Sequence, residues 1–211
     1  MIEVEDLSFG YRRTQPILEH LSWCIPPGLI SGVTGQSGSG KSTLLYILGL
    51  LLSPWSGRIV VDGEDVGAAS DGVRSQIRAR RIGFVFQDAA LDPTRTVVDN
   101  IVEGSLYSGM GRRRAIRRAH ELLEKFDVGL RAEHRPGEVS AGQAQRVALC
   151  RALLPEPRII LADEPTGNLD TDTAAVVLAA LRSLSHGDGA TVVMVSHDPT
   201  VVVACDRVLT L

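Results

Sequence analysis

The sequence predicts an α/β fold: a mostly parallel sheet covered by helices, an antiparallel β subdomain at the N-terminus, and a helical subdomain inserted midway. Three observations predict it. A glycine-rich stretch, Gly35-Gln36-Ser37-Gly38-Ser39-Gly40-Lys41-Ser42, joins a strand-like apolar run to a helix-like one. Downstream, apolar runs of strand length alternate with helical patterns, as in buried parallel strands connected by helices. Between the two halves, residues 88 to 149 lack strong strand runs.

Taken in order, residues 1 to 28 alternate apolar and polar positions (Ile2/Val4, then Leu21/Trp23/Ile25). They read as an antiparallel strand pair, turned near Gly10 to Gln15 and closed by Pro26-Pro27-Gly28. Leu29 to Val33 is a short buried strand, and the helix after the glycine-rich loop runs from Thr43 to about Leu52. Ser53 to Gly57 is a turn, Arg58 to Gly63 a strand ending in a turn signal, and Arg81 to Phe86 a buried strand that delivers Gln87 to its end. Ala115, Ala119, Leu122 and Phe126 then fall at helical spacing, with Arg117–Glu121 and Glu121–Lys125 pairs four apart. Residues 88–149 are therefore expected to form a helical subdomain, set into a core made of 1–87 and 150–211 within a single domain of residues 1–211. Arg158 to Asp163 is a strand, Thr173 to Leu184 a helix, Ala190 to Ser196 a strand, and Arg207 to Leu211 a last short strand.

A chain of 211 residues suits one well-cored domain. Its net charge of -3 gives no support for a nucleic-acid partner. Cys24, Cys150 and Cys205 lie in apolar segments and read as buried free thiols of a reducing compartment. No close C-x-x-C spacing occurs and the five histidines are scattered, so no structural zinc is indicated. The acidic, strand-like N-terminus is not expected to be a signal peptide. The longest apolar run, Leu44 to Leu52, is about half of the ~20 residues that cross a bilayer. Any membrane role is expected to come through a partner.

Gly35 to Ser42 fits the phosphate-loop pattern G-x-x-x-x-G-K-[ST] without a mismatch, in the strand–loop–helix context that the pattern requires. The glycines let backbone amides wrap a phosphate chain, and the helix start at Thr43 adds roughly half a positive charge. Lys41 is expected to pair with the outer phosphates of a nucleoside triphosphate and the Ser42 hydroxyl to ligate Mg²⁺. Ile159 to Glu164 is an apolar strand ending in two carboxylates. Asp163 is placed to hold Mg²⁺ through water and Glu164 to polarise an attacking water, although an acidic pair after a strand is also a common helix cap. Ser140-Ala141-Gly142-Gln143 is a polar helix start, with Ser140 as its cap.

Val139 to Gln143 resembles the Leu-Ser-Gly-Gly-Gln signature of ATP-binding-cassette (ABC) ATPases, and other stretches agree with that family in its order. Tyr11 lies where the family stacks an aromatic ring on adenine, although it also reads as an ordinary turn aromatic. Gln87 matches the Mg²⁺- and water-sensing glutamine. Asn168-Leu169-Asp170 matches the loop that crosses the dimer interface, and His197 the histidine on the γ-phosphate. The resemblance spans essentially the whole chain. It implies a P-loop NTPase core that hydrolyses ATP with Mg²⁺, Glu164, His197 and Gln87 being catalytic and Ser42, Gln87 and Asp163 holding the metal. It also implies a nucleotide-dependent head-to-tail homodimer with two ATPs at the interface. Each ATP then lies between one protomer's phosphate loop and the other's Ser140 to Gln143.

The Asp163 to Asp170 stretch looks most like the lipoprotein-release, macrolide-export and antimicrobial-peptide-resistance branch. That implies membrane-spanning permease subunits on a separate chain, with this protein peripheral at the cytoplasmic face of the cell membrane. Non-transport mechanotransmission, as in cell-division relatives, shares the same motifs. A nucleic-acid role is disfavoured because the segment between Gln87 and Val139 has no sustained heptads. Three departures stand out: Ala141 replaces a glycine, Val139 replaces a leucine, and Asp92 stands where close relatives often carry an apolar residue at the permease-facing surface. The Arg112 to Arg118 run reads as a solvated helix face, with a phospholipid- or nucleic-acid-facing patch as the alternative. No C-terminal regulatory domain is expected after the last strand.

Overall fold

The computed structural model describes residues 1–167 and 169–211. Its strands are β1 (Ile2–Phe9), β2 (Leu18–Ile25), β3 (Ile30–Thr34), β4 (Ser56–Val61), β5 (Glu64–Asp65), β6 (Ile82–Val85), β7 (Ile159–Asp163), β8 (Thr191–Val195) and β9 (Arg207–Thr210). Its helices are α1 (Lys41–Leu48), α2 (Asp71–Arg81), α3 (Val97–Glu103), α4 (Arg112–Lys125), α5 (Ala141–Leu153), α6 (Thr171–Arg182) and α7 (Pro199–Val203). Two sheets form, an antiparallel one in the order β2-β1-β4-β5 and a wholly parallel one in the order β6-β7-β8-β3-β9. The α/β fold with its N-terminal antiparallel subdomain is thus as expected.

Alternation along the parallel strands divides the apolar side chains between two cores. Ile160, Ala162, Val192 and Met194 join the core that holds α3, α4 and α5. Ile159, Leu161, Val193 and Val195 face the other, shared with α1 and the antiparallel sheet. Both faces of β7 and β8 are therefore buried, which is why those strands read as continuous apolar runs. Ala115, Ala119, Leu122 and Phe126 all lie in the first core, as their helical spacing predicts.

Several boundaries moved. The helix after the loop stops at Leu48 rather than near Leu52, because Gly49 caps it and Leu50 turns to φ 58°. The carbonyls left beyond that end are taken by α2: Arg74 donates to Leu50 O and Leu52 O at 2.8 and 2.9 Å, and Arg78 to Leu50 O at 2.7 Å. The sequence reading placed no helix here, since α2 buries only Arg74 and Ile77 and so lacks an apolar stripe. α5 runs to Leu153, across the boundary drawn at 149/150. α7, also unforeseen, is five residues long and is set by Asp198, which accepts from Thr200 N at 2.8 Å, and by Pro199.

One further expectation changed. Cys150 is buried and Cys205 half-buried, but Cys24 is exposed. On β2 the inward positions are Leu21, Trp23 and Ile25, so the residue between the last two points outward by the strand's two-residue period. Asp92 shapes a turn: its carboxylate accepts from Thr94 N and Oγ1 at 2.8 and 2.6 Å and pairs with Arg95 at 3.1 Å. The arginines of α4 are largely exposed, with Arg114 and Arg118 both reaching Glu156 at 3.2 Å. Among the described residues, no helix is long and apolar enough to cross a membrane.

Candidate functional site

The parallel sheet carries the loop Gly35–Gly40 at the C-terminal end of β3, between the ends of β8 and β9. That is the end of a parallel sheet where ligand crevices form. Gly40 begins α1 with φ 96°, and a Cβ there would meet Ile17 Cγ2 at 2.7 Å. Gly38, at φ 82°, has nothing within 4 Å of its would-be Cβ and lies on the open side of the loop. No side chain caps α1, so its first amides are left without a helical acceptor. Lys41 Nζ donates to Gly35 O at 3.0 Å and Gln36 O at 2.8 Å. Ser39 Oγ is buried with no hydrogen-bond partner among the described residues.

A cavity of ≈ 730 Å³ opens over this loop, lined by Tyr11, Gly35, Ser37, Gly38, Gly40, Lys41, Ser42, Thr43, Gln87, Glu164 and His197. Tyr11 is 65% exposed, packs edge-on against Phe9 and lies 3.4 Å from Thr43 Oγ1. Gln87 sits two residues beyond β6. A second cavity of ≈ 680 Å³ lies at the opposite ends of the strands, beside Ile159 and Thr191, and none of the candidate nucleotide-site residues lines it.

The two carboxylates that end β7 have different surroundings. Asp163 is 5% exposed and accepts from Ser42 Oγ at 3.1 Å. Burial pushes its carboxyl above the usual range, a rise the Ser42 hydrogen bond opposes and the Glu164 charge reinforces. Glu164 turns out of the strand at φ 44°, with its N–H donating to Val195 O at 2.9 Å. Its Oε1 lies 2.6 Å from His197 Nδ1, and its Oε2 accepts from Ser196 Oγ at 2.9 Å. The Glu164 hydrogen bond, then its charge, raises the exposed His197 imidazole above 6.5.

Ser140, Ala141, Gly142, Gln143 and Asp170 do not line that cavity; they begin α5 and α6. Ser140 Oγ accepts from Gln143 N at 3.2 Å while Gln143 Oε1 accepts from Ser140 N at 2.9 Å, a reciprocal cap. Asp170 caps α6 by accepting from Thr173 N at 2.9 Å and Thr173 Oγ1 at 2.8 Å, which lowers its carboxyl. The two helix starts are neighbours, since a Cβ on Gly142 would meet Thr173 Cγ2 at 2.9 Å. Asn168, read with Asp170 as one loop, lies outside the described residues.

Three residues escaped the sequence reading. Gln145, 5% exposed on α5, donates Nε2 to Phe86 O at 3.0 Å. Arg151 on the same helix donates to Ala89 O and Ala90 O at 2.7 and 2.8 Å. Between them they hold the segment that carries Gln87. The available signal was a polar residue at a core position, with Leu149 four residues on also buried. Ser196 is the third, 2% exposed beside His197.

Known proteins resemble this chain in sequence and in fold. The sequence model described as ABC transporter matches residues 18–167. The chain is 42% identical over 200 residues to the lipoprotein-releasing system ATP-binding protein LolD 1 of Rhodospirillum rubrum, covering 95% of this chain and 88% of that one. It is 39% identical over 214 residues to the macrolide export ATP-binding/permease protein MacB of Syntrophobacter fumaroxidans, covering 99% of this chain and 30% of that protein. The solved dimer of MJ0796, a bacterial ABC transporter cassette, superposes with a TM-score of 0.91 at 35% identity over 100% of this chain and 94% of that one. A post-hydrolysis dimer of the same cassette with ADP and Pi superposes at 0.88 with 33% identity over the same shares of the two chains.

Proposed function

Because this chain belongs to the ABC transporter family and is an ATP-binding, ATP-hydrolysing subunit, we propose that it energises a transporter of the lipoprotein-release or macrolide-export type. The observation that carries this reading is a single cavity with Lys41, Ser42, Gln87, Glu164 and His197 gathered around the phosphate loop. The relatives named above support the transporter class.

Each residue has a role that follows from its position. Tyr11 stacks on the adenine. The amides from Gln36 to Thr43 and the α1 dipole hold the phosphates, with Lys41 exchanging Gly35 O and Gln36 O for phosphate oxygens. Ser42, Gln87 and Asp163 offer oxygen ligands, and the Asp163 carboxylate is buried beside the Ser42 hydroxyl, so the set fits Mg²⁺. A Mg²⁺ held by these residues would supply charge neutralisation for the phosphates. Glu164 takes the proton of the attacking water, and His197 reaches the γ-phosphate from the exposed side of the cavity.

Ser140 to Gln143 and Asp170 are assigned to the ATP held by a second copy. Their separation from this chain's own cavity supports a head-to-tail dimer that closes on ATP and opens after hydrolysis. We assign 1–87 and 150–211 to the ATP-binding core and 88–149 to the signature-bearing helical subdomain. The permease subunits are separate chains that hold the protein at the cytoplasmic face of the cell membrane, and no nucleic acid is involved.

Glu164→Gln tests the assignment. ATP binding stays intact while hydrolysis falls by roughly 10²-fold or more. Near-wild-type turnover at saturating ATP retires Glu164 as the base. Co-purification from membranes identifies the permease.

A further inference from the structure

We infer that Ser196 is a positioning residue for ATP hydrolysis, fixing one oxygen of the Glu164 carboxylate so that the other works as the base. This rests on the assignment of Glu164 above. Ser196 directly follows β8 and is 2% exposed. Its oxygen lies 3.1 Å from Asp198 N and 2.9 Å from Glu164 Oε2. A backbone N–H can only donate, so the serine oxygen must accept from Asp198. Its single proton is thereby left for Glu164 Oε2. The direction of the bond is fixed by that chemistry.

The other carboxylate oxygen is held differently. Glu164 Oε1 lies 2.6 Å from His197 Nδ1, and that imidazole is 76% exposed while the Glu164 side chain is only 12% exposed. An exposed ring can swing toward the cavity, whereas a buried hydroxyl hydrogen-bonded on both sides cannot. When His197 leaves Oε1, a lone pair becomes available there to a water at the phosphate loop, while Oε2 stays bound to Ser196. The Ser196 N–H donates to Val33 O at 3.2 Å, which ties this bond to the strand that leads into the loop. Hydroxyl, carboxylate and phosphate loop are thus referenced to one rigid sheet end. No covalent step involves Ser196 itself.

Removing the hydroxyl frees the carboxylate to rotate and leaves Oε2 without a donor. Bonds to charged groups are worth enough that kcat falls about 10-fold or more in Ser196→Ala. The KM for ATP and the affinity for a fluorescent ATP analogue stay unchanged, because Ser196 does not line the ATP cavity. Ser196→Thr retains the hydroxyl and recovers most of the rate.

A residue that acts through Glu164 has nothing to act on once the base is gone. In single-turnover measurements, Ser196→Ala therefore costs little further in a Glu164→Gln background. A normal kcat in Ser196→Ala overturns the inference, as does an equal loss in both backgrounds or a matching fall in analogue affinity. Should Glu164→Gln itself turn over normally, the base assignment fails first. Slow Glu164→Gln with normal Ser196→Ala sinks this inference alone.

Discussion

At the scale of single residues, the His197–Glu164 contact has a measurable consequence. The hydrogen bond and charge of Glu164 raise the His197 pKa above 6.5. The favourable pairing is therefore fully present below that ordinary value and is lost as pH rises through the higher, folded one. In a histidine NMR titration, the His197 ring protons should move with a midpoint above 6.5. Glu164→Gln should return the midpoint toward 6.5, and a midpoint indifferent to that substitution counts against the pair.

Asp163 carries the opposite sign. Burial raises its carboxyl, so folding penalises the charged form. The penalty is fully present above the folded pKa and disappears as pH falls toward the ordinary 3.8. Asp163→Asn retains an acceptor for Ser42 without the charge. Its nucleotide-free Tm should exceed wild type at neutral pH and converge with it in acid, while Mg²⁺-dependent ATP binding weakens. Thermal unfolding across pH, with and without MgATP, checks both parts; a lower Tm in neutral buffer contradicts the burial argument.

At the scale of elements, α5 does two things at once. Its start carries the reciprocal Ser140–Gln143 cap, and its body grips the Phe86–Ala90 segment through Gln145 and Arg151. Ala90 takes φ 47°, a left-handed turn that a non-glycine residue adopts only when its surroundings hold it there. Gln145→Leu preserves bulk but leaves Phe86 O without its donor, at a cost of about 1–3 kcal/mol. The expected result is a lower Tm with faster amide exchange confined to the segment around Gln87, read by hydrogen-exchange mass spectrometry. Unaltered exchange there means that the helix does not restrain the loop. None of these contacts is visible as a motif, because Gln145 and Phe86 are 59 positions apart. The local cap, by contrast, spans three residues and was readable as a Ser-x-x-Gln pattern.

At the scale of the molecule, the ATP cavity and the α5 start lie apart on one chain, so the proposed head-to-tail site takes its second half from another copy. In that proposed dimer the bridge between copies is nucleotide phosphate rather than a broad apolar patch. Glu164→Gln should therefore scatter light as a monomer without nucleotide and as a dimer with ATP. A stable dimer in both conditions speaks against nucleotide-gated closure.

The sequence alone determined the glycine-rich loop proposed to hold phosphate, because a loop of eight consecutive residues dictates its own backbone. Gly40 at φ 96° and an uncapped α1 start are local facts. Continuous apolar runs likewise determined β7 and β8, since strands buried on both faces cannot alternate. Only the tertiary structure decided the order β6-β7-β8-β3-β9, and with it everything that meets across strand ends. Glu164 and Ser196 are 32 positions apart, and they touch because β7 and β8 pair in parallel register with Asp163 opposite Val195. Periodicity reports which face of a strand is buried, not which strand lies beside it. For the same reason α2 went unseen: what holds it is a pair of arginines on the carbonyls that follow α1, a contact that no local pattern contains.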